Sequence, residues 1–209
     1  MRVLLTGFTP FDDHDVNPSQ LIVEALAQRE YATIDLIAEI LPVVYQAAGS
    51  RLSDLIAQHQ PDVVICLGLA ARRSAINLER VALNLDDAKI PDNAGDLAVG
   101  RPIQQDGPVA YLSTLPLEAM KRALQAQEIP VEISNHAGAY VCNHVFYAAR
   151  HAIEQAQSPT ICGFIHVPAI ADTADAPGLL LNQMIEAVEV CIVTGCSMIV
   201  PDRSERLYG

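Results

Sequence analysis

The length, composition and charge of the chain exclude several classes of protein before any motif is considered. It has 209 residues, of which 51% are hydrophobic and 18% are charged, as expected of a packed globular protein and unlike a disordered chain. A formal net charge of -12 argues against a nucleic-acid partner, because such partners are held mainly by clustered Lys and Arg. We predict a single domain over residues 1–209, since domains commonly run to about 100–200 residues.

The cysteines and the apolar stretches predict a compartment. The chain has five cysteines, no CxxC pair and wide spacings, which predict neither a disulfide framework nor a zinc site. We therefore expect a reducing cytoplasm, and no metal or other cofactor. The longest apolar stretch, residues 178–198, is interrupted by polar side chains and predicts an amphipathic surface helix, not a membrane span.

The first third of the chain alternates between strands and helices. The apolar run Arg2–Phe8 predicts a buried strand that ends at a glycine turn. Asn17 before Pro18 is typical of a helix N-cap followed by proline at the first helical position, and this helix should end near Gln28. Further along, the pattern predicts strands over 34–41 and 62–68, with a helix over 44–59 between them.

The rest of the chain continues the alternation with one long interruption. Residues 74–85 predict an extended segment with a bend near Arg80, and residues 86–108 predict a long polar loop of the kind that is often functional. Beyond it we predict helices over 116–127, from about Cys142, and over 179–196, with strands over 131–134 and 160–167. The polar tail from Asp202 is expected to be mobile.

This order of elements predicts the fold class. Strands that alternate with helices need crossover connections, which favour a mostly parallel, twisted sheet covered by helices on both faces. We predict a single-domain α/β protein with a three-layer α/β/α sandwich. Its ligand site should lie at the carboxyl ends of the strands, and neither a GxGxxG nor a GxxxxGK loop indicates a nucleotide there.

Residues 135–147, NHAGAYVCNHVFY, contain the most suggestive cysteine. Small and turn-prone residues precede Cys142 and an apolar helical pattern follows it, so a helix should begin close to this thiol. Unpaired N–H groups and the positive end of the helix dipole would then favour the thiolate, as a nucleophile requires. The alternative is that Cys142 is a small buried hydrophobic residue, as free cysteine usually is.

A cysteine nucleophile needs a base, and the base needs a carboxylate to orient it. His166 ends the predicted strand 160–167 and would lie beside Cys142; His136 and His144 are nearer in sequence, although His144 should point away. Glu79 is the best carboxylate candidate because it sits among apolar residues. Its alternatives are a salt bridge to Arg80 or another neighbour, or a plain surface position.

Several sequence blocks together resemble the pyroglutamyl peptidase I family, also called pyrrolidone-carboxylate peptidase. They cover residues 1–168 and read GFTPF with NPS, GLA before Arg73, ERVALN with DDAKIPDN, AYLSTLP, AGAYVCNH with FY, and GFIHVP. The resemblance implies a cysteine exopeptidase that removes N-terminal pyroglutamyl residues from peptides through a thioester. It places the catalytic residues at Glu79, Cys142 and His166.

The resemblance also implies a substrate pocket, partners and some departures. Pocket residues of the family fall on Phe8 and Phe11, and we predict further substrate contacts from Asn17, Leu69 and Val141. We expect pyroglutamyl peptides as substrates, no membrane association, and a homo-oligomer, either a tetramer or a dimer. Two departures concern rate and substrate range: an Asp12-Asp13 pair where the family has small residues, and Lys89 where it has arginine.

Two other functions are compatible with the same residues. One is a related cysteine amidase that acts on another small cyclic or acyl amide. The other is a non-catalytic binding protein with this fold, which an intact triad disfavours.

Overall fold

We describe the protein from a computed structural model, which covers residues 1–12, 15–171 and 178–199. The predicted tail from Asp202 lies outside these described residues. The strands within them are β1 Arg2–Phe8, β2 Asp35–Leu41, β3 Val63–Leu69, β4 Ile76–Glu79, β5 Val81–Leu83, β6 Ala110–Leu112, β7 Val131–Ser134 and β8 Ile161–Val167. The helices are α1 Pro18–Ala27, α2 Tyr45–His59, α3 Leu117–Gln125, α4 Val141–Gln155 and α5 Leu181–Ile199.

Six of the strands form one mixed sheet in the order β2-β1-β3-β8-β4-β7. Every neighbouring pair is parallel except β8 and β4, which run antiparallel. The mostly parallel sheet predicted from the sequence is therefore confirmed. The reversed direction of β4 was not predicted, and it decides how the site residues meet.

Helices cover both faces of this sheet, which confirms the three-layer sandwich. Strand residues alternate between two cores: Leu5 and Ile65 pack on the side of α1, α3 and α5. Leu4 and Val64 pack on the side of α2 and α4. The buried face of α5 agrees with the predicted amphipathic helix, and within the described ranges no helix is long and apolar enough to cross a bilayer.

The main differences from the predicted elements fall between residues 80 and 116. The predicted bend at Arg80 separates β4 from β5, and β5 leaves the large sheet to pair with β6 in a two-stranded sheet. No strand was predicted at β6, because three partly exposed residues carry too short a pattern. Pro116 precedes α3 as its N-cap instead of lying in its first turn.

Candidate active site

The helix that carries Cys142 begins where the sequence predicted. Tyr140 is the N-cap of α4, which makes Cys142 its second residue. Gly138, in the turn before it, has a φ of 81°, a left-handed conformation that favours glycine. The first N–H groups of α4 have no intrahelical acceptor. They lie in the same turn as Cys142 and can donate to a ligand there.

Gly68 on β3 makes room for the Cys142 sulfur. A methyl group at this position would lie 2.7 Å from Cys142 Sγ and 2.8 Å from the Phe164 ring. Gly68 is also the register partner of His166 on the neighbouring strand β8. The thiol and the imidazole are thus brought to adjacent strands at their carboxyl ends, where the fold predicted a ligand site.

The antiparallel pair of β4 and β8 explains how Glu79 reaches His166. Asn77 lies opposite His166 and Glu79 lies opposite Phe164, so Glu79 and His166 are diagonal neighbours on one face of the sheet. The His166 Nδ1 to Glu79 Oε1 distance is 2.8 Å, and both residues are buried. When Nδ1 donates to this carboxylate, Nε2 is left to accept a proton from another group.

The three predicted catalytic residues are not all joined by hydrogen bonds. Glu79 and His166 are bonded to each other, whereas the described contacts include no hydrogen bond between Cys142 and His166. The catalytic role of the triad stays a prediction.

Glu79 is a buried carboxylate with few polar neighbours besides His166. Its exposed fraction is 0%, and Oε2 has no hydrogen-bond partner among the described residues. Arg73 Nη1 is 3.7 Å from Oε1. Of the predicted alternative, a salt bridge to Arg80 or another neighbour, the Arg80 part is wrong, because Arg80 donates to Asn135 and approaches Glu118. The other part is confirmed, since Arg73 lies within ion-pair distance of Glu79.

Burial raises the pKa of every one of the five thiols, all of which lie in the described part of the chain. Burial is the largest cause at Cys142 too, with additions from the Glu79 carboxylate and Cys66, and it brings the pKa to about 12. A hydrogen bond from the Cys142 N–H opposes this shift. The helix start was predicted to favour the thiolate, but desolvation outweighs that effect and the net shift of the Cys142 pKa is upward.

What distinguishes Cys142 is access. As a residue it is partly exposed, whereas Cys66, Cys162, Cys191 and Cys196 are buried. A thiol that is accessible but protonated reacts as a nucleophile only if a neighbouring base takes its proton.

The two rival histidines are held elsewhere. His136 is exposed, and its Nδ1 accepts a hydrogen bond from the Gly138 N–H at 3.2 Å. His144 Nδ1 contacts the Asp86 carboxylate at 2.9 Å, and its Nε2 faces Gly49 on α2. Among the three candidates, only His166 pairs a buried carboxylate with a position beside the cysteine.

All five predicted pocket residues line one small, mostly apolar pocket beside Cys142. Its cavity volume is only about 10 Å³, and the space reaches about 220 Å³ only when the open solvent at its mouth is included. Phe11 packs against Tyr140 with ring centroids 6.0 Å apart, which closes one side. The lining residues are Phe8, Phe11, Asn17, Val43, Leu69, Tyr140, Val141 and Cys142. Substrate binding by the predicted five stays a prediction.

Sequence reasoning missed two pocket residues, Val43 and Tyr140. The signal for Tyr140 was its place in AGAYVCNH, two residues before the cysteine, whereas Val43 has no local signal because it reaches the pocket only through the fold. The pKa of Tyr140 is raised to about 12 by burial, so its hydroxyl stays protonated. That hydroxyl donates to the Pro91 carbonyl oxygen at 3.0 Å.

Asn17 shapes the pocket largely through its own loop. Its Oδ1 accepts from the Ser19 N–H at 3.1 Å and from the Ser19 hydroxyl at 2.8 Å, which confirms the predicted N-cap. Its Nδ2 donates to the Thr9 carbonyl oxygen at 3.1 Å. Among the described residues only one of its two N–H hydrogens has an acceptor, and the second is available to a ligand.

Other features of the described residues lie apart from this site. A larger and more open groove lies at the opposite edge of the sheet and includes Pro61 and Thr160, which precede β3 and β8. The described residues contain no group of three or more His, Cys, Asp or Glu side chains arranged to hold a metal ion. Lys89 is exposed and, within the described contacts, forms no ion pair. Asp13 lies outside the described residues.

Comparison with known proteins identifies the family. A model of the family described as "Pyroglutamyl peptidase" matches residues 1–197. A pyrrolidone-carboxylate peptidase of Oceanobacillus iheyensis is 42% identical over 198 residues, which are 93% of this chain and 98% of that protein. One from Gloeobacter violaceus is 47% identical over 174 residues, which are 83% of this chain and 84% of that protein.

Solved structures agree with these relatives. The pyroglutamyl peptidase I of Bacillus amyloliquefaciens has a TM-score of 0.88 and 38% identity, with 94% of this chain and 97% of that chain covered. A mutant pyrrolidone carboxyl peptidase of Pyrococcus furiosus has a TM-score of 0.91 and 36% identity, with 96% and 100% covered. The chain therefore belongs to the pyroglutamyl peptidase family, which confirms the family predicted from its sequence.

Proposed function

We propose that this protein is a cysteine exopeptidase that removes N-terminal pyroglutamyl residues from peptides, with residues 1–209 acting as one catalytic domain. The observation that carries the proposal is the juxtaposition of three parts: the accessible Cys142, the His166–Glu79 hydrogen bond, and the apolar pocket that includes Cys142. Family membership supports the same reaction.

The chemistry begins with the thiol proton. Because burial keeps Cys142 protonated, His166 Nε2 takes the proton as the sulfur attacks the pyroglutamyl carbonyl carbon. Glu79, through Nδ1, holds the ring and stabilises the imidazolium that forms. The N–H groups of the first turn of α4 stabilise the oxyanion on the former carbonyl oxygen.

The tetrahedral intermediate then collapses to a thioester, which water hydrolyses in a second stage. The carbon–nitrogen bond breaks, and the imidazolium gives its proton to the departing amine, which leaves a thioester on Cys142. His166 next takes a proton from a water molecule that attacks the thioester. The thiolate leaves and recovers a proton, and pyroglutamate is released.

The pocket explains why a pyroglutamyl group is favoured over an ordinary N-terminus. In pyroglutamate the nitrogen is part of a neutral lactam, whereas a free amino terminus is charged near neutral pH. Side chains such as Phe8, Leu69 and Val141 offer no partner for a charge, so burial of an ammonium group there is costly. The second N–H of Asn17, which has no acceptor among the described residues, suits the lactam carbonyl, which needs a donor.

A fluorogenic pyroglutamyl amide tests the proposal directly. We expect hydrolysis by the wild-type protein, abolished by a thiol alkylating agent and by Cys142→Ser. Full activity in Cys142→Ser would reject the nucleophile, and activity confined to an N-terminal prolyl or acyl amide would favour the related cysteine amidase. Binding of pyroglutamyl peptide without turnover would favour the non-catalytic alternative.

We also propose a cytoplasmic location and a homo-oligomeric state, either a tetramer or a dimer. Exposed apolar side chains support association: Val193 and Met198 on α5 are 51% and 64% exposed, and Val109 before β6 is 87% exposed. A light-scattering mass equal to the monomer would reject the oligomer. Fractionation of cells that contain the tagged protein tests the location.

A further inference from the structure

Asn143, the residue after the proposed nucleophile, is completely buried. All the hydrogen bonds of its side-chain amide go to one backbone segment, residues 83–85. Its Oδ1 accepts from the Leu83 N–H at 2.8 Å, and its Nδ2 donates to the carbonyl oxygens of Leu83 and Leu85 at 2.9 Å each. Both N–H hydrogens of the amide are therefore used. The side chain replaces a strand as the hydrogen-bonding partner of this backbone.

The segment that Asn143 holds is continuous with the strand of Glu79. Leu83 ends β5, and a single residue, Arg80, separates β5 from Glu79 at the end of β4. That residue is itself fixed on both sides, because its N–H donates to the Ser134 carbonyl oxygen and its carbonyl oxygen accepts from the Ser113 N–H, each at 2.8 Å. The connection from Glu79 to Asn143 is thus short and stiff.

The start of α4 has no other side chain that caps it. Its N-cap, Tyr140, makes no side-chain hydrogen bond to the first turn. The start of α4 is tied to the rest of the protein by the Tyr140 hydroxyl bond to Pro91, the His144 bond to Asp86 and the Asn143 amide, and of these only the amide bonds to the segment next to β4. Loss of the Asn143 bonds would leave the first turn fixed to the long loop through Tyr140 and His144, and no longer to the segment that continues from Glu79.

The geometry points to Asn143 as a positioning residue that sets Cys142 and the first N–H groups of α4 relative to the Glu79–His166 pair. It acts through Cys142 and does not touch the reacting atoms. This inference rests on the proposed function, because it requires Cys142 to be the nucleophile. A displacement of about 1 Å at a reacting group can lower the rate about 100-fold, so a side chain that fixes this turn affects turnover more than binding.

Asn84 offers a matched control. It makes the same three kinds of bond: Oδ1 accepts from the Gln104 N–H at 2.9 Å, and Nδ2 donates to the carbonyl oxygens of Gln104 and Gly107 at 2.8 and 3.3 Å. These bonds hold the long loop and not the helix of Cys142. Asn84 lies in the segment that Asn143 holds, so Asn84→Ala removes a similar set of hydrogen bonds from that segment while keeping the bonds to the helix of Cys142.

The test compares steady-state kinetics of Asn143→Ala and Asn84→Ala on a pyroglutamyl amide, at a temperature where circular dichroism shows both folded. For Asn143→Ala we expect kcat to fall about 10–100-fold with KM changed by less than about threefold. For Asn84→Ala we expect kcat within about twofold of wild type, because its loss affects stability alone. The pH dependence of the rate at which Cys142 is alkylated should also differ from wild type in Asn143→Ala and not in Asn84→Ala.

Equal kcat values in the two variants, or a rise in KM alone, would overturn the positioning role. If Asn143→Ala does not fold, the isosteric Asn143→Asp, which keeps the acceptor and loses both donors, should show the same loss in kcat. Retained activity in Cys142→Ser defeats the proposed function itself. If activity requires Cys142 but the kcat of Asn143→Ala equals that of wild type, only the positioning role of Asn143 is rejected.

Discussion

Two buried histidine–carboxylate pairs lie on the same side of the sheet, and they differ in what surrounds the second ring nitrogen. In both, Nδ1 contacts a carboxylate: Glu79 at 2.8 Å from His166, and Asp86 at 2.9 Å from His144. By hydrogen bonding and burial the pairs are nearly equivalent. Only the His166 pair lies beside Gly68, the glycine that accommodates the Cys142 sulfur.

The His144 pair instead joins structural elements. Its Nε2 faces Gly49 within α2, so that ring is enclosed between two helices. The backbone of Asp86, whose carboxylate contacts His144, forms two hydrogen bonds with the backbone of Arg101, at 2.7 and 2.9 Å. These bonds anchor the long loop. The group near Nε2, and not the contact between Nδ1 and a carboxylate, therefore decides whether such a histidine can act in catalysis.

The largest effect should separate the two histidines. His166→Ala removes the proposed base, so kcat/KM for a pyroglutamyl amide should fall by about 1,000-fold or more. His144→Ala should keep kcat/KM within about fivefold and lower the unfolding temperature, because the buried Asp86 carboxylate loses its hydrogen bond to His144. Steady-state kinetics with thermal unfolding checks both. Comparable losses of activity in the two variants would contradict the assignment.

Substitution of Glu79 should lower kcat more than substitution of Asp86, although the difference should be smaller than that between the two histidines. Glu79→Gln keeps the size of the side chain but removes the charge that stabilises the imidazolium, so we expect kcat to fall by about 100- to 1,000-fold. Asp86→Asn should leave kcat within about threefold and reduce the free energy of unfolding. The measurement is kcat beside chemical denaturation. A Glu79→Gln enzyme as fast as Asp86→Asn would show that the charge of Glu79 has no part in turnover.

Gly68 and Gly49 lie against Cys142 and His144, and their substitution should also have different effects. Gly68→Ala places a methyl group 2.7 Å from Cys142 Sγ, and Gly49→Ala places one 2.7 Å from His144 Nε2. The first should lower kcat by about 10- to 100-fold by displacing the sulfur, whereas the second should affect mainly the unfolding temperature. Both variants need kinetics and calorimetry. Full activity in Gly68→Ala would mean that the sulfur does not need this space.

The smallest expected effect concerns the pH at which Cys142 reacts. Burial and then the Glu79 carboxylate raise the thiol pKa, so alkylation of substrate-free protein should still accelerate above pH 9, the ordinary value for a thiol. In Glu79→Gln the negative charge is gone, and the alkylation profile should move to lower pH; in Asp86→Asn it should not move. Peptide mapping assigns the label to Cys142. A wild-type midpoint near pH 6 would contradict the stated direction.

Local patterns in the sequence predicted much of this architecture, because they report burial and chain reversal. The run Arg2–Phe8 and the Asn17-Pro18 cap were confirmed as β1 and the start of α1. Contacts between distant segments could not be predicted. The antiparallel pairing of β4 and the space at Gly68 depend on register, and the raised thiol pKa depends on how completely the fold excludes water.

The candidate site shows the same division. Glu79, Cys142 and His166 were chosen from local context and family resemblance, and the structure brings them to one face of the sheet. Asn143 was overlooked, although it follows the cysteine directly, because its three backbone partners lie about 60 residues earlier in the chain. No local signal distinguishes such an amide from one on the surface.

The central claim is that Cys142 carries the pyroglutamyl group during turnover. Rapid acid quenching of the wild-type protein with a pyroglutamyl ester or amide, followed by mass spectrometry of its peptides, tests this directly. We predict a mass increase of one 5-oxoprolyl group on the peptide that contains Cys142, absent from Cys142→Ser and lost on standing with hydroxylamine. Turnover with no adduct, or an adduct on another residue, would contradict the account.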